Sequence, residues 1–289
     1  MVGYHSGGRA QERRWCQLPV IDITGERADY TDSGTGICVV FVPGLAGSRD
    51  WFAYQSAGLS DRYRTICYDL RDARDCRGRI SLLRTGRPSY TLDLLADDVA
   101  DLMSILHIPS AAVAGHSLGG MVALRFAVMH PERCQAVILS STAPSYAGWS
   151  REDLISYYLP GVVRGEGRLK ALWRWLVGAP QMPEDKSDSL NPLKQTAFRL
   201  QKATLIARTR LLSETDLGPA LPEVAAPVLI VAGSEERPEI LAAAQRMEES
   251  LPDSSLEIIE GADQFHFYTS HDQFNTIVAD FLSHKAARP

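Results

Sequence analysis

With 289 residues, 45% of them hydrophobic and 22% charged, the chain has the make-up of a water-soluble globular protein. That length suits one α/β domain carrying an insertion. Its net charge of −5 leaves no basic surplus to neutralise phosphates, which argues against a nucleic-acid partner. No apolar run nears the ~18–20 residues that cross a bilayer, so no membrane span is expected.

Residues 1–15 are polar, carry Arg9, Arg13 and Arg14, and lack the apolar stretch of a secretory signal; they read as a disordered N-terminal tail. Residues 20–24 and 28–32 read as two short strands joined by a turn at Gly25. The run 37–42 is β-branched, continuously apolar and closed by Pro43-Gly44, the signature of a strand buried on both faces. A short helix within 50–59 leads to another strand at 65–69. From Thr91 the period changes: Leu92, Leu95, Val99, Leu102, Ile105 and Leu106 recur at three and four residues, predicting an amphipathic helix over 91–106. The small-residue strand 111–114 leads into Gly115-His116-Ser117-Leu118-Gly119, and an apolar helix over 121–129 ends at Pro131. Strands at 137–139, 228–232 and 256–259 alternate with helices near 239–251 and 273–284. Such alternation implies βαβ units, a mostly parallel sheet and helices on both faces. Residues 147–223 break the rhythm: Trp149, Tyr157, Tyr158, Trp173 and Trp175 lie among helix-like pieces with no convincing strand. This segment reads as a helical lid inserted into a core formed by 16–146 and 224–289. The five cysteines, Cys16, Cys38, Cys67, Cys76 and Cys134, are odd in number and lack metal-ligand spacing, so a cytoplasmic protein without structural disulfides is expected.

The serine turn is the most informative motif. Ser117 stands between a strand and a helix, where the bend is tight and only small neighbours fit. A hydroxyl at a helix N-terminus faces free N–H groups and a dipole that favour developing negative charge. On the residues alone, a helix-capping serine without chemistry is the competing reading.

Gly115-His116-Ser117-Leu118-Gly119-Gly120 resembles the nucleophile elbow of the α/β-hydrolase superfamily, and the resemblance extends from about Val20 to Leu282. It implies the α/β-hydrolase fold, with Ser117 as nucleophile and the Leu118 N–H as one oxyanion donor. Pro43-Gly44-Leu45-Ala46-Gly47-Ser48 resembles the family's oxyanion loop, with Pro43 where a His is usual; Leu45 would supply the second N–H. Serine in the nucleophile slot disfavours the dehalogenase and epoxide-hydrolase branches, which use Asp there. The family's acid follows the strand 228–232, three residues beyond its glycine, which places Glu236 in that slot and Glu235 in reserve.

The base is where the chain departs from the pattern. Counting back from Phe274 puts Gln264 in the histidine slot, and an amide cannot accept a proton near neutral pH. Three readings stand. His266 could be the base from two residues along, a step that on an extended chain keeps the same side and moves ~6–7 Å. The natural chain could carry His where this one has Gln264. Or the hydrolytic base has been lost, leaving a cyclase, a lyase or a ligand-binding module. His116 reads as a pocket or packing residue. No Gly-x-Gly-x-x-Gly follows the first strands and no metal cluster shows, so no cofactor and no metal are expected. The sequence therefore predicts a serine hydrolase-type enzyme acting on a small-molecule, mostly apolar carbonyl substrate: an ester, thioester, lactone or C–C bond beside a ketone.

Overall fold

The computed structural model describes residues 20–23, 26–71, 90–150, 153–154 and 202–285. The tail 1–15 and most of the segment 147–223 lie outside the described residues. Eight strands form one sheet: β1 (Val20–Ile23), β2 (Glu26–Ser33), β3 (Cys38–Val42), β4 (Arg64–Tyr68), β5 (Ala111–His116), β6 (Cys134–Ser140), β7 (Val228–Gly233) and β8 (Ser254–Ile259). Their spatial order is β1-β2-β4-β3-β5-β6-β7-β8. The β1–β2 and β2–β4 pairs are antiparallel and every other pair is parallel. The α/β-hydrolase fold, a mostly parallel sheet flanked by helices, is thus present. Seven helices are described: α1 (Ala53–Leu59), α2 (Leu92–Ile105), α3 (Leu118–Met129), α4 (Lys202–Glu214), α5 (Pro238–Ser250), α6 (His266–Thr269) and α7 (His271–Lys285). None of these is long and apolar enough to cross a membrane.

The two-residue period of the strands explains the continuous apolar runs. Val40, Val42, Val113, Val137, Leu139, Val228 and Ile230 face a core shared with α2, α3 and α5. Their neighbours Val39, Phe41, Ala112, Ala114, Ile138, Leu229 and Val231 face a second core shared with α7 and the segment around Trp51 to Tyr63. A strand covered on both sides has no polar face to alternate with. On α2 the Thr91 hydroxyl caps the first turn by accepting from Leu94 N, while Leu92, Leu95, Ala96, Val99, Leu102 and Met103 turn inward. Cys38, Cys67 and Cys134 are buried free thiols, and burial pushes each up to about 12.

Several predicted boundaries move outward because backbone pairing outlasts the apolar side chains. β6 runs from Cys134 to Ser140 rather than 137–139, since its register with β5 and β7 continues into polar residues. That extension carries Ser140 to the site. Ser145 and Asp216, on either side of the segment 146–215, form an isolated antiparallel bridge. Leu217 N also donates to Pro144 O over 2.8 Å.

One buried ion pair ties the loop after β3 to the end of β4. Arg49 Nη1 lies 2.7 Å from Asp69 Oδ2, and the Arg49 amide donates to Asp69 Oδ1 over 2.8 Å. The Arg49 side chain is fully enclosed. Without Asp69 the buried guanidinium keeps only the longer contacts to Asp29 (3.6 Å) and Asp50 (3.8 Å), and breaking a buried pair costs about 3–5 kcal/mol. Asp69→Ala should therefore lower the unfolding free energy by about 3 kcal/mol, whereas Asp32→Ala, which breaks the exposed Arg64 pair, should cost under about 1 kcal/mol. Urea denaturation of the two variants checks the contrast; equal losses would contradict it.

Candidate active site

The site begins where β5 runs out. Ser117 has φ 57 and ψ −118, outside the helical and extended regions, and α3 starts at the next residue. A non-glycine residue held there costs about 1–3 kcal/mol and persists only where its surroundings impose it. Here they do. A Cβ on Gly119 would lie 2.0 Å from the Val42 carbonyl oxygen, and one on Gly115 would lie 2.0 Å from the Gly119 carbonyl oxygen. Both positions therefore admit only hydrogen, and α3 presses against β3 at its first turn. The Ser117 amide donates to Ser140 O over 2.9 Å, and the Thr142 hydroxyl donates to Ser117 O over 2.7 Å. With its backbone so fixed, the serine has its hydroxyl oxygen buried and without a hydrogen-bond partner.

The loop after β3 covers the same serine. A Cβ on Gly44 would stand 3.3 Å from Ser117 Cβ and 3.2 Å from His116 Cδ2. Gly47 N closes the loop onto Gly44 O over 3.1 Å. Leu45 is buried beside it, and its carbonyl accepts from Arg208 Nη1 over 2.9 Å. Leu118 contributes a leading amide of α3, one of the N–H groups that a helix leaves without an intrahelical acceptor. Ser117, Leu45 and Leu118 are thus neighbours around one bend.

Glu236, Gln264 and His266 gather a short way off, around Ser141. Glu236 follows β7; its Oε1 accepts from Gly233 N over 3.0 Å and lies 2.6 Å from the Ser141 hydroxyl. That hydroxyl is also 3.0 Å from the Gln264 backbone carbonyl, and the shorter contact, to the Glu236 carboxyl, takes its single proton. Ser141 itself is a non-glycine residue at φ 47, so this bridge comes with backbone strain. Gln264 lies buried in the connection between β8 and α6.

His266 opens α6, so the segment there is a helical turn and not the extended loop that the two-residue step assumed. Its imidazole is completely buried. Nε2 is 3.0 Å from the Ser140 hydroxyl, while Nδ1 is 3.2 Å from Asp263 O and 3.7 Å from Glu236 Oε1. Burial pushes His266 down to about 4, opposed by its hydrogen bond to the Asp263 carbonyl. Ser140 Oγ also lies 3.3 Å from His116 Nδ1. Burial, and secondarily the proximity of His266, pushes His116 down to about 3. Both rings are therefore neutral at neutral pH. His116 packs among Trp51, Phe265 and Phe267.

A polar seam therefore runs from Glu236 through Ser141, His266 and Ser140 to His116, behind the serine bend. The His266 imidazole is engaged with Ser140 and makes no hydrogen bond to Ser117 Oγ. Sequence reasoning passed over Ser140, Ser141 and Thr142, although three hydroxyl residues closing an apolar strand are a visible signal. It also passed over Arg208, a buried cation on α4 that no motif marks.

Known proteins bear on this arrangement. A relative from Caulobacter sp. (strain K31), to which carbamate hydrolysis is ascribed under the name RutD, is 29% identical over 86% of this chain and 91% of its own. The 3-oxoadipate enol-lactonase 2 of Acinetobacter baylyi is 28% identical over 78% of this chain and 80% of its own. Among solved structures, a thermophilic esterase from Thermogutta terrifontis superposes with TM-score 0.74 at 21% identity, covering 94% of this chain and 100% of that one. At that identity the likeness speaks to fold alone. The sequence profile described as "Alpha/beta hydrolase family" matches residues 39–277, which include the serine bend, the Glu236 turn and both Gln264 and His266. The chain belongs to the alpha/beta hydrolase family.

Proposed function

We propose that the chain hydrolyses a small, mostly apolar carbonyl compound, an ester, thioester, lactone or C–C bond beside a ketone, through attack by Ser117. The observation that carries this reading is the Ser117 backbone at φ 57 and ψ −118, which sets an unpartnered hydroxyl against the head of α3 and the Gly44–Leu45 loop. A hydroxyl with no donor competing for its lone pairs keeps them for a carbonyl carbon. As that bond forms, the carbonyl π electrons move to oxygen, where the Leu45 and Leu118 amides receive the charge. One such donor is worth about 3–4 kcal/mol in comparable sites. Collapse of the adduct expels the leaving group, which ends with the serine proton. Water then adds to the acyl-serine and releases the acid, returning the proton to Ser117.

Proton transfer is the step this chain serves least well. Gln264 can donate and accept hydrogen bonds but cannot hold a proton, and His266 is turned to Ser140. On this reading turnover leans on the oxyanion amides and on substrates with good leaving groups. Glu236, fixed by Gly233 N and Ser141, is the carboxylate that would orient an imidazole at position 264. The same lack of a base at Ser117 favours a second reading, a non-hydrolytic or ligand-binding role for this site.

Ser117→Ala should reduce kcat/KM for p-nitrophenyl acetate by about 10³-fold or more. Retained activity would remove the covalent step. Gln264→His should raise the same rate by about 10²-fold, the usual contribution of a placed general base. No gain, together with loss of activity in His266→Ala, would instead make His266 the base.

A further inference from the structure

Arg208 is the buried cation that the reaction above does not use. It projects from α4 and is fully enclosed. Nη1 donates to Leu45 O over 2.9 Å, and Nη2 donates to Arg71 O over 2.7 Å. Its guanidinium carbon stands 5.8 Å from the centre of the Tyr90 ring. Nε is buried and has no hydrogen-bond partner. A guanidinium has five N–H donors, and these contacts engage two of them, both with neutral carbonyls.

Among the described residues, the surrounding charges do not balance it. Arg71 forms a two-pronged pair with Asp98, and Arg49 is paired with Asp69. Among the described residues no carboxylate comes within ion-pair distance of Arg208. A buried guanidinium without an anion is costly, and such groups are ordinarily paired. The Tyr68 hydroxyl is a second buried polar group without a partner. Burial raises its pKa first of all, with Asp98 adding to the rise and the nearby Arg71 and Arg208 charges opposing it. The Arg208 Nε–H is thus left unused beside the loop that carries Leu45, one residue from the glycine that rests on Ser117, and the Tyr68 hydroxyl is left unused within electrostatic reach of that guanidinium.

We propose that Arg208, with Tyr68, forms an anion-binding subsite that takes a carboxylate of the substrate and so selects acyl compounds bearing an acid group on an otherwise apolar body. This rests on the Ser117 reading and sharpens it, naming the substrate class. Geometry favours a carboxylate: the planar fork presents Nε–H beside an Nη–H, the pattern that receives two oxygens side by side. Because the same guanidinium holds the Leu45 carbonyl, an anion seated there would also stiffen the loop whose amide faces the oxyanion.

Two p-nitrophenyl esters of similar length test it, the hemiglutarate with its free carboxylate and the neutral valerate. The wild-type chain should favour the hemiglutarate in kcat/KM by at least about tenfold. Arg208→Met should bring the ratio of the two rates to about one, and taking a ratio cancels any general loss from a loosened Leu45 loop. Glutarate titrated calorimetrically into the Ser117→Ala chain should bind, and dimethyl glutarate should not. A wild-type ratio near one, or a ratio unchanged in a folded Arg208→Met, overturns the subsite. The wild-type ratio stands even if the variant fails to fold. Should neither ester be turned over while glutarate still binds and Arg208→Met abolishes that binding, the subsite holds and the hydrolytic reading falls. Turnover of both esters with no preference and no glutarate binding would remove the subsite and leave the hydrolytic reading standing.

Discussion

The close approach of α3 to β3 governs the rest of the structure. No room exists for a side chain at Gly115 or Gly119, and the 2.0 Å gaps to backbone carbonyls leave no alternative packing. Because the strand and helix meet so tightly, the residue between them is forced to φ 57. Its hydroxyl then stands at the helix head instead of folding back to cap it, as a capping serine would; no side-chain cap bond forms there. Strain at Ser117, the availability of its lone pairs and the nearness of Gly44 are three consequences of one steric fact.

A second constraint is the polar end of β6. Ser140 and Ser141 serve different tasks although they are consecutive. The Ser140 carbonyl holds the Ser117 amide, while its hydroxyl sits between His116 and His266. Ser141 bends into positive φ and reaches Glu236. The strand end thereby couples the Ser117 backbone to the Glu236 carboxylate and to a neutral buried histidine. That seam holds Glu236 in place and keeps the His266 imidazole on Ser140.

The architecture was legible in the sequence because burial on both faces writes itself as continuous β-branched runs, as at 37–42, and burial on one face as the three-and-four spacing of 91–106. The serine bend was legible for a related reason: sterics confine its neighbours to a few residue types. The grouping around Glu236 was harder to foresee. Counting along a chain gives the order of Gln264 and His266 but not their directions, and a single helical turn at His266–Thr269 swings the imidazole toward Ser140. Arg208 was illegible because its meaning comes from contacts with Leu45 and Arg71, both more than a hundred residues away in sequence.

The central claim is that Ser117 carries a hydroxyl poised for attack. It is tested most directly by treating the protein with a fluorophosphonate and locating the adduct by peptide mass spectrometry. One stoichiometric phosphonyl group on the peptide containing Ser117 is predicted. An unmodified Ser117, with the protein folded and the reagent in excess, would contradict the account.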